Sequence, residues 1–225
     1  MIYLKIVIVL STLCLLPSKN LDDSSQKKIR YLALGDSYTI GESVQPTHNY
    51  PQLLENNLKE AGLTVNETKI IAKTGWRTDN LIDAIRQGKL SGPYEIVTLL
   101  IGVNNQYQHK PIEQYKKEFK ELLEMAIELA GGNKNHVFVI SIPDYGFTPF
   151  GLSNQPSISS EIDAYNAINK RIAKELNVKR FDITPISRRG IKQPELVAED
   201  GLHPSGKMYQ DWVELFGNKI IAAIK

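Results

Sequence analysis

From Tyr31 onward, short apolar runs alternate with longer stretches in which apolar side chains recur every three or four positions. The runs at 31–34, 69–72, 96–101 and 137–140, with a weaker one at 179–181, predict five strands. Their near-continuous Ile, Val and Leu content is the pattern of strands covered on both faces. Between them, Leu53, Leu54, Leu58 and Ala61 form one helical stripe that stops at Gly62. Tyr115, Phe119, Leu122 and Ala126 form a second, stopped at Gly131 and Gly132. Ile162, Tyr165, Ile168, Ile172 and Leu176 form a third, and Met208, Trp212, Leu215 and Ile220 a fourth that closes the chain. These stripes are core faces. Strand–helix alternation predicts an α/β domain over residues 30–225, a doubly wound and mainly parallel five-stranded sheet with helices on both faces. A sheet of that kind places its site in the crevice beyond the carboxyl ends of its strands.

The segments that follow the strands are therefore where chemistry is expected. After the first comes Gly35-Asp36-Ser37, after the second Lys73-Thr74-Gly75-Trp76, and after the third Gly102-Val103-Asn104-Asn105. Asp200-Gly201-Leu202-His203 follows the fifth strand and precedes the last helix. Ser37 offers a nucleophile, His203 a base, and Asp200 a carboxylate that can hold the imidazole tautomer. The N–H groups of Ser37 and Gly75 and the amide of Asn104 offer three donors for a developing oxyanion. Trp76 and Tyr107 are expected to contact substrate, since both stand in loops at this edge.

Composition narrows the function classes. Formal charge is +2, with 27 basic and 25 acidic residues; setting aside Lys5 and Lys19 leaves 25 of each. Neither that balance nor any basic, aromatic-studded stripe points to nucleic acid. His48, His109 and His136 are scattered, and there is no H-E-x-x-H or paired-cysteine motif, so no metal and no cofactor are expected. In residues 1–20, Lys5 precedes the apolar stretch 6–16 and then Pro17. That stretch is short for a membrane span and fits the apolar core of a secretory signal, although no A-x-A cleavage site follows. Export is the expectation, with 21–29 as a linker. Cys14, the single cysteine, has two readings. It is an incidental apolar residue of the signal, or a lipid-attachment site whose preceding Ser11, Thr12 and Leu13 match a lipobox poorly. Membrane attachment is expected only through this segment.

The four blocks, in order, resemble the SGNH hydrolases of the GDSL esterase and lipase superfamily. The marker residues of that superfamily fall on Ser37, Gly75, Asn104 and His203, and its Asp-x-x-His pattern on Asp200 and His203. The resemblance implies a flavodoxin-like three-layer α/β/α sandwich and metal-free hydrolysis of acyl esters through a serine acyl-enzyme. It also implies a small-molecule ester substrate, either a lipid ester of the lysophospholipid kind or an acetylated carbohydrate. One departure stands in the third block, where Asn105 replaces the usual aspartate. An α/β-hydrolase is set aside because Thr39 stands where the nucleophile elbow requires a second glycine, and because the acid is only three residues from the histidine. The rival of another class is a non-catalytic carbohydrate-binding surface module on the same scaffold, against which the complete marker set argues.

Overall fold

The computed structural model describes residues 28–225. The segment 1–20, Cys14 and most of the expected linker lie outside the described residues. Five strands form one parallel sheet: β1 (Lys28–Gly35), β2 (Thr64–Ala72), β3 (Ile96–Leu100), β4 (Val137–Ile140) and β5 (Lys179–Phe181), in the order β2-β1-β3-β4-β5. The order reverses between β1 and β3, which is the switch point where an open α/β sheet leaves a crevice. β1 begins at Lys28, inside the segment expected to be linker, because Lys28 and Ile29 pair with Thr64 and Val65 of β2.

The inner strands match the expectation of double coverage, with all of β3 and β4 buried. β2 does not. It runs five residues further toward its N-terminus than the apolar run and is only half-buried along its length. As an edge strand it keeps one side toward water, and its Asn66, Glu67 and Thr68 show this in the sequence.

Among the described residues, eight helices connect and cover the strands: α1 (Ser37–Ile40), α2 (Tyr50–Glu60), α3 (Thr78–Gln87), α4 (Val103–Tyr107), α5 (Ile112–Leu129), α6 (Gln155–Glu175), α7 (Thr184–Ser187) and α8 (Gly206–Ile224). α2 packs with α8 on one face, while α3, α5 and α6 pack in sequence on the other. All four stripes pack on the core, with Leu53, Ala61, Ile168 and Leu176 only partly buried. In α8 the buried residue of the third turn is Phe216, with Leu215 half-exposed. α3 carries no long stripe; Leu81, Ile82 and Ile85 bury one short face of it.

The α2–α8 layer is built on aromatics. The Tyr50 ring lies against Tyr209, Trp212 and Phe216, with centroids 6.4, 6.3 and 6.2 Å away. All four residues are fully buried, and each such side chain contributes about 1.5–3 kcal/mol by leaving water. Their hydroxyls are satisfied as burial requires. Tyr31 and Tyr50 both hydrogen-bond Thr98 Oγ1, at 3.0 and 3.2 Å, and Tyr50 reaches Thr39 Oγ1 at 3.4 Å. This ties β1, β3 and α2 together directly beneath α1, the helix that begins with Ser37.

Candidate active site

β1 delivers its last residues into a confined turn. A Cβ added to Gly35 would meet Thr39 Oγ1 at 2.0 Å and the Leu100 carbonyl at 2.4 Å, so only glycine lets the chain turn so close to β3. Asp36 caps α1, its Oδ1 accepting the Tyr38 N–H at 3.0 Å. Ser37 is thus the first residue of a helix that starts at the strand's end, and it is nearly buried.

Gly75 lies in the turn after β2, with φ 80°, a backbone region that a side chain at this position would resist. No heavy atom stands within 4 Å of where its Cβ would be, so its peptide faces open space. Asn104 lies in α4, after β3, and donates from Nδ2 to the Trp76 carbonyl at 3.0 Å. That bond fixes which end of the amide is nitrogen and leaves a second N–H free to donate. Gln108 adds a further tie, donating to the Gly75 carbonyl at 3.2 Å and accepting from Arg77 at 2.6 Å. The loop after β2 and the α4 segment are therefore clamped to each other.

His203 sits in a loop pinned by an antiparallel bridge between Val197 and Pro204, with the Ala198 N–H donating to the His203 carbonyl at 2.8 Å. The fifth strand does not lead straight into it, because α7 and a 3₁₀ turn at Pro194–Leu196 intervene. Asp200 Oδ2 meets His203 Nδ1 at 2.6 Å, while Oδ1 accepts the N–H groups of Leu202 and His203, both at 2.9 Å. Ser43 Oγ also donates to Oδ2, at 2.6 Å. Partial burial works to raise the Asp200 pKa, but the hydrogen bonds from Ser43, His203 and the two backbone groups outweigh it and hold the carboxyl well below its ordinary range. With a carboxylate at Nδ1, the imidazole carries its proton there and presents Nε2 as the basic nitrogen. The edge of Tyr38 packs on the ring, centroids 5.6 Å apart.

Ser37, Gly75, Asn104 and His203 line one cavity of about 350 Å³. Its remaining wall is mainly apolar, including Val103, Tyr107, Tyr145, Phe150 and Leu202. The expected catalytic and oxyanion residues are thus brought together, and Tyr107 with them. Trp76 is not. The turn closed by its N–H on the Lys73 carbonyl directs its ring onto the core, half-buried, and only its carbonyl serves the site, through Asn104. The sequence pattern also carried no signal for Ser43 or Gln108, which act on the site through tertiary contacts.

Asn105 has a definite place. It is fully buried, accepts the Thr78 N–H at Oδ1 (3.1 Å) and donates from Nδ2 to Thr78 Oγ1 (2.7 Å). The Thr78 hydroxyl spends its one proton on Glu118. The threonine oxygen therefore needs a donor, which an amide supplies and a carboxylate does not. Asparagine here is matched to Glu118.

This arrangement sets a serine, a histidine paired with a carboxylate, and backbone and amide N–H groups around one cavity, which is the equipment of acyl transfer. Fold and site define a serine ester hydrolase. A sequence profile of the GDSL-like lipase/acylhydrolase family matches residues 33–210, and the chain belongs to that family. Solved structures agree in fold. The acetylxylan esterase Axe2 from Geobacillus stearothermophilus superposes with a TM-score of 0.67 at 18% identity, over 85% of this chain and 94% of that one. TesA gives 0.69 at 13% identity, over 87% and 99%. A lipolytic G-D-S-L family protein from Veillonella parvula gives 0.62 at 19%, over 87% and 95%. No curated protein sequence matches the chain significantly.

Asn105→Asp is expected to lower unfolding free energy by about 2 kcal/mol, because it buries a carboxylate facing an oxygen without a proton. Adding Glu118→Gln should recover at least half of that loss in denaturant melts; strict additivity would show that the two residues are not coupled. Asp36 supplies a pH test. Burial pushes its carboxyl up to about 7, against a model-compound value of 3.8, and its Oδ2 has no partner. Between those pH values the folded state keeps a proton that the unfolded state has lost. Stability contributed at low pH is therefore lost as pH rises through this window, at up to about 1.4 kcal/mol per pH unit. Urea midpoints measured between pH 4.5 and 7 should show that slope in wild type and a flatter one in Asp36→Asn.

Proposed function

We propose that Ser37, His203 and Asp200 form the catalytic triad of this esterase, with the Ser37 and Gly75 N–H groups and the Asn104 amide as its oxyanion hole. The observation that carries this reading is the 2.6 Å Asp200–His203 pair, set at the cavity that also holds Ser37, Gly75 and Asn104. Ser37 Oγ attacks the ester carbonyl carbon and its proton passes to His203 Nε2. The carbonyl π electrons move to oxygen, where the three donors receive the charge. Collapse breaks the bond to the alcohol oxygen, which takes the proton from His203 Nε2 and leaves as the free alcohol. Water then gives its proton to the same nitrogen and attacks the acyl-enzyme, and the second collapse returns the proton to Ser37 and frees the acid.

The acyl group is proposed to be short. A cavity of about 350 Å³ is at the small end of ligand pockets, about 300–1,000 Å³, and it also has to hold the reacting carbonyl. Export is part of the proposal and rests on the basic-then-apolar pattern of residues 1–20.

A fluorophosphonate probe should add its mass to the peptide containing Ser37, and Ser37→Ala should abolish both labelling and turnover of 4-nitrophenyl acetate. Labelling elsewhere, or retained turnover, would remove Ser37 as nucleophile. Across nitrophenyl esters of two to twelve carbons, kcat/KM should be highest at the shortest; an optimum at long chains would overturn the short-acyl reading. Ser43 gives a separate outcome. Its φ of 65° is strained for serine but natural for glycine, so Ser43→Gly should leave Tm at or above wild type. Losing the hydroxyl on Asp200 should nonetheless lower kcat about tenfold with little change in KM, as expected for a hydrogen bond to a charged group. A wild-type kcat would show that Ser43 plays no part in holding the triad.

A further inference from the structure

Beyond the catalytic cavity lies a second one, of about 380 Å³, which shares with it the side chains of Tyr107, Tyr145 and Phe150. The three rings form a cluster, centroids 6.2, 6.2 and 6.3 Å apart. Tyr107 is 52% and Phe150 50% exposed. The rings of Tyr107 and Phe150, half-exposed where they line both cavities, are a surface waiting for a ligand rather than core.

The wall is built to stay in place. Asp144, fully buried, accepts from the Gly146 N–H at 2.9 Å, Ser159 Oγ at 2.6 Å and Arg188 Nε at 2.9 Å, which anchors the segment that carries Tyr145 and Phe150. Tyr145 OH donates to Gln106 at 3.0 Å, and Gln106 in turn donates to Glu161 at 2.7 Å.

The position of the wall relative to the chemistry says which part of an ester would cross it. The Phe150 N–H donates to the Gly201 carbonyl at 3.0 Å, so Phe150 is tied to the loop that carries His203. Of the proposed oxyanion donors, Gly75 belongs to another loop, while Asn104 shares α4 with Tyr107. His203 is the group that protonates the departing alcohol, so the alcohol leaves from the side of the cavity where Phe150 stands.

The far side of the second cavity has a different chemistry from the aromatic wall. Glu161, Asn154, Ser157 and His109 line it, and no lysine or arginine does. Asn154 starts α6 but makes no side-chain capping bond there. An aliphatic chain would strip water from these groups without replacing its hydrogen bonds. A phosphate would meet the Glu161 carboxylate with no lysine or arginine in the lining to offset it. A sugar ring meets both halves, with C–H faces for the aromatics and hydroxyls for the polar rim. We propose that this second cavity is the alcohol-side subsite of the enzyme and takes a neutral polyhydroxylated ring, so that the natural ester is an acylated carbohydrate. The inference rests on the triad reading above.

The test compares acetates that differ only in alcohol: a monoacetylated methyl glucoside, ethyl acetate and octyl acetate. In wild type the glucoside should have the highest kcat/KM. In Asn154→Ala and Phe150→Ala, the ratio of kcat/KM for the glucoside to that for ethyl acetate should fall about tenfold, mainly through KM. A ratio within twofold of wild type in both variants overturns the proposal, as does selective loss on octyl acetate, which would make the cavity an apolar-chain site. Wild type that cleaves ethyl acetate but not the glucoside ester also overturns it while leaving the esterase reading standing. Inertness toward all three would instead sink that reading.

Discussion

The register of β1 with its two neighbours is the constraint on which the site depends. Gly35 stands opposite Ala72 of β2 and Leu100 of β3, so the three strands end level with one another. Ser37, Gly75 and Asn104 leave those ends two, three and four residues later and emerge side by side. A parallel strand advances about 3.3 Å per residue. A slip of one residue in either pairing would carry a donor beyond hydrogen-bond range of an oxyanion held at Ser37. Slippage is opposed because β1, buried from Tyr31 to Gly35, would have to exchange the side chains it presents to the two helical layers.

Buried polar groups turn that register into fixed positions for the loops. Tyr31, Tyr50 and Thr98 hold the floor under α1, while Asn105 and Thr78 join the loop after β3 to the start of α3. Each is a satisfied network, and satisfied networks select one arrangement because a shifted one leaves a buried donor or acceptor unpaired. Asp36 is an exception, with one carboxylate oxygen orphaned, as is the indole N–H of Trp212. Asp36 sits immediately before Ser37 and keeps its cap on Tyr38 while burial pushes its carboxyl up to about 7. Sites of reaction are where such local disadvantage is tolerated.

The fold and the chemistry were both legible in the sequence, for related reasons. Inner strands are apolar on both faces, so they read as continuous runs; the loops after them carry residue types whose combination has few other uses. Less legible was whatever depends on one side of an element. β2 is an edge strand, and its polar half hid the strand's start. Trp76 stood in the right loop, but its ring direction is set by a turn closed on Lys73, which residue type does not reveal. Ser43 is 157 positions from Asp200 and meets it only because the fold brings the first and last active loops together. Asn105 read as a deviation because its partner, Glu118, lies on another helix; with that partner in view it is a consistent choice.

These distinctions divide the cavity into two halves with different physical tolerances. On the side of the proposed oxyanion hole, the donors are backbone groups and a clamped amide, and the loops are cross-linked by Asn104, Asn105 and Gln108. Changing residues there perturbs the transition state directly, since an oxyanion must be met within a few tenths of an ångström. On the leaving-group side, the rings of Tyr107 and Phe150 are half-exposed and rest on a scaffold braced by Asp144 and Arg188 behind them. Substitution of an exposed ring alters what is bound without moving the brace. On the proposed reading, such a chain keeps one reaction while the alcohol it accepts is set by Tyr107 and a few side chains of the 145–154 segment. In this protein the proposed acyl-transfer machinery and the proposed alcohol wall are joined where the Phe150 N–H meets the carbonyl of Gly201 and where the Tyr145 hydroxyl meets Gln106 of α4.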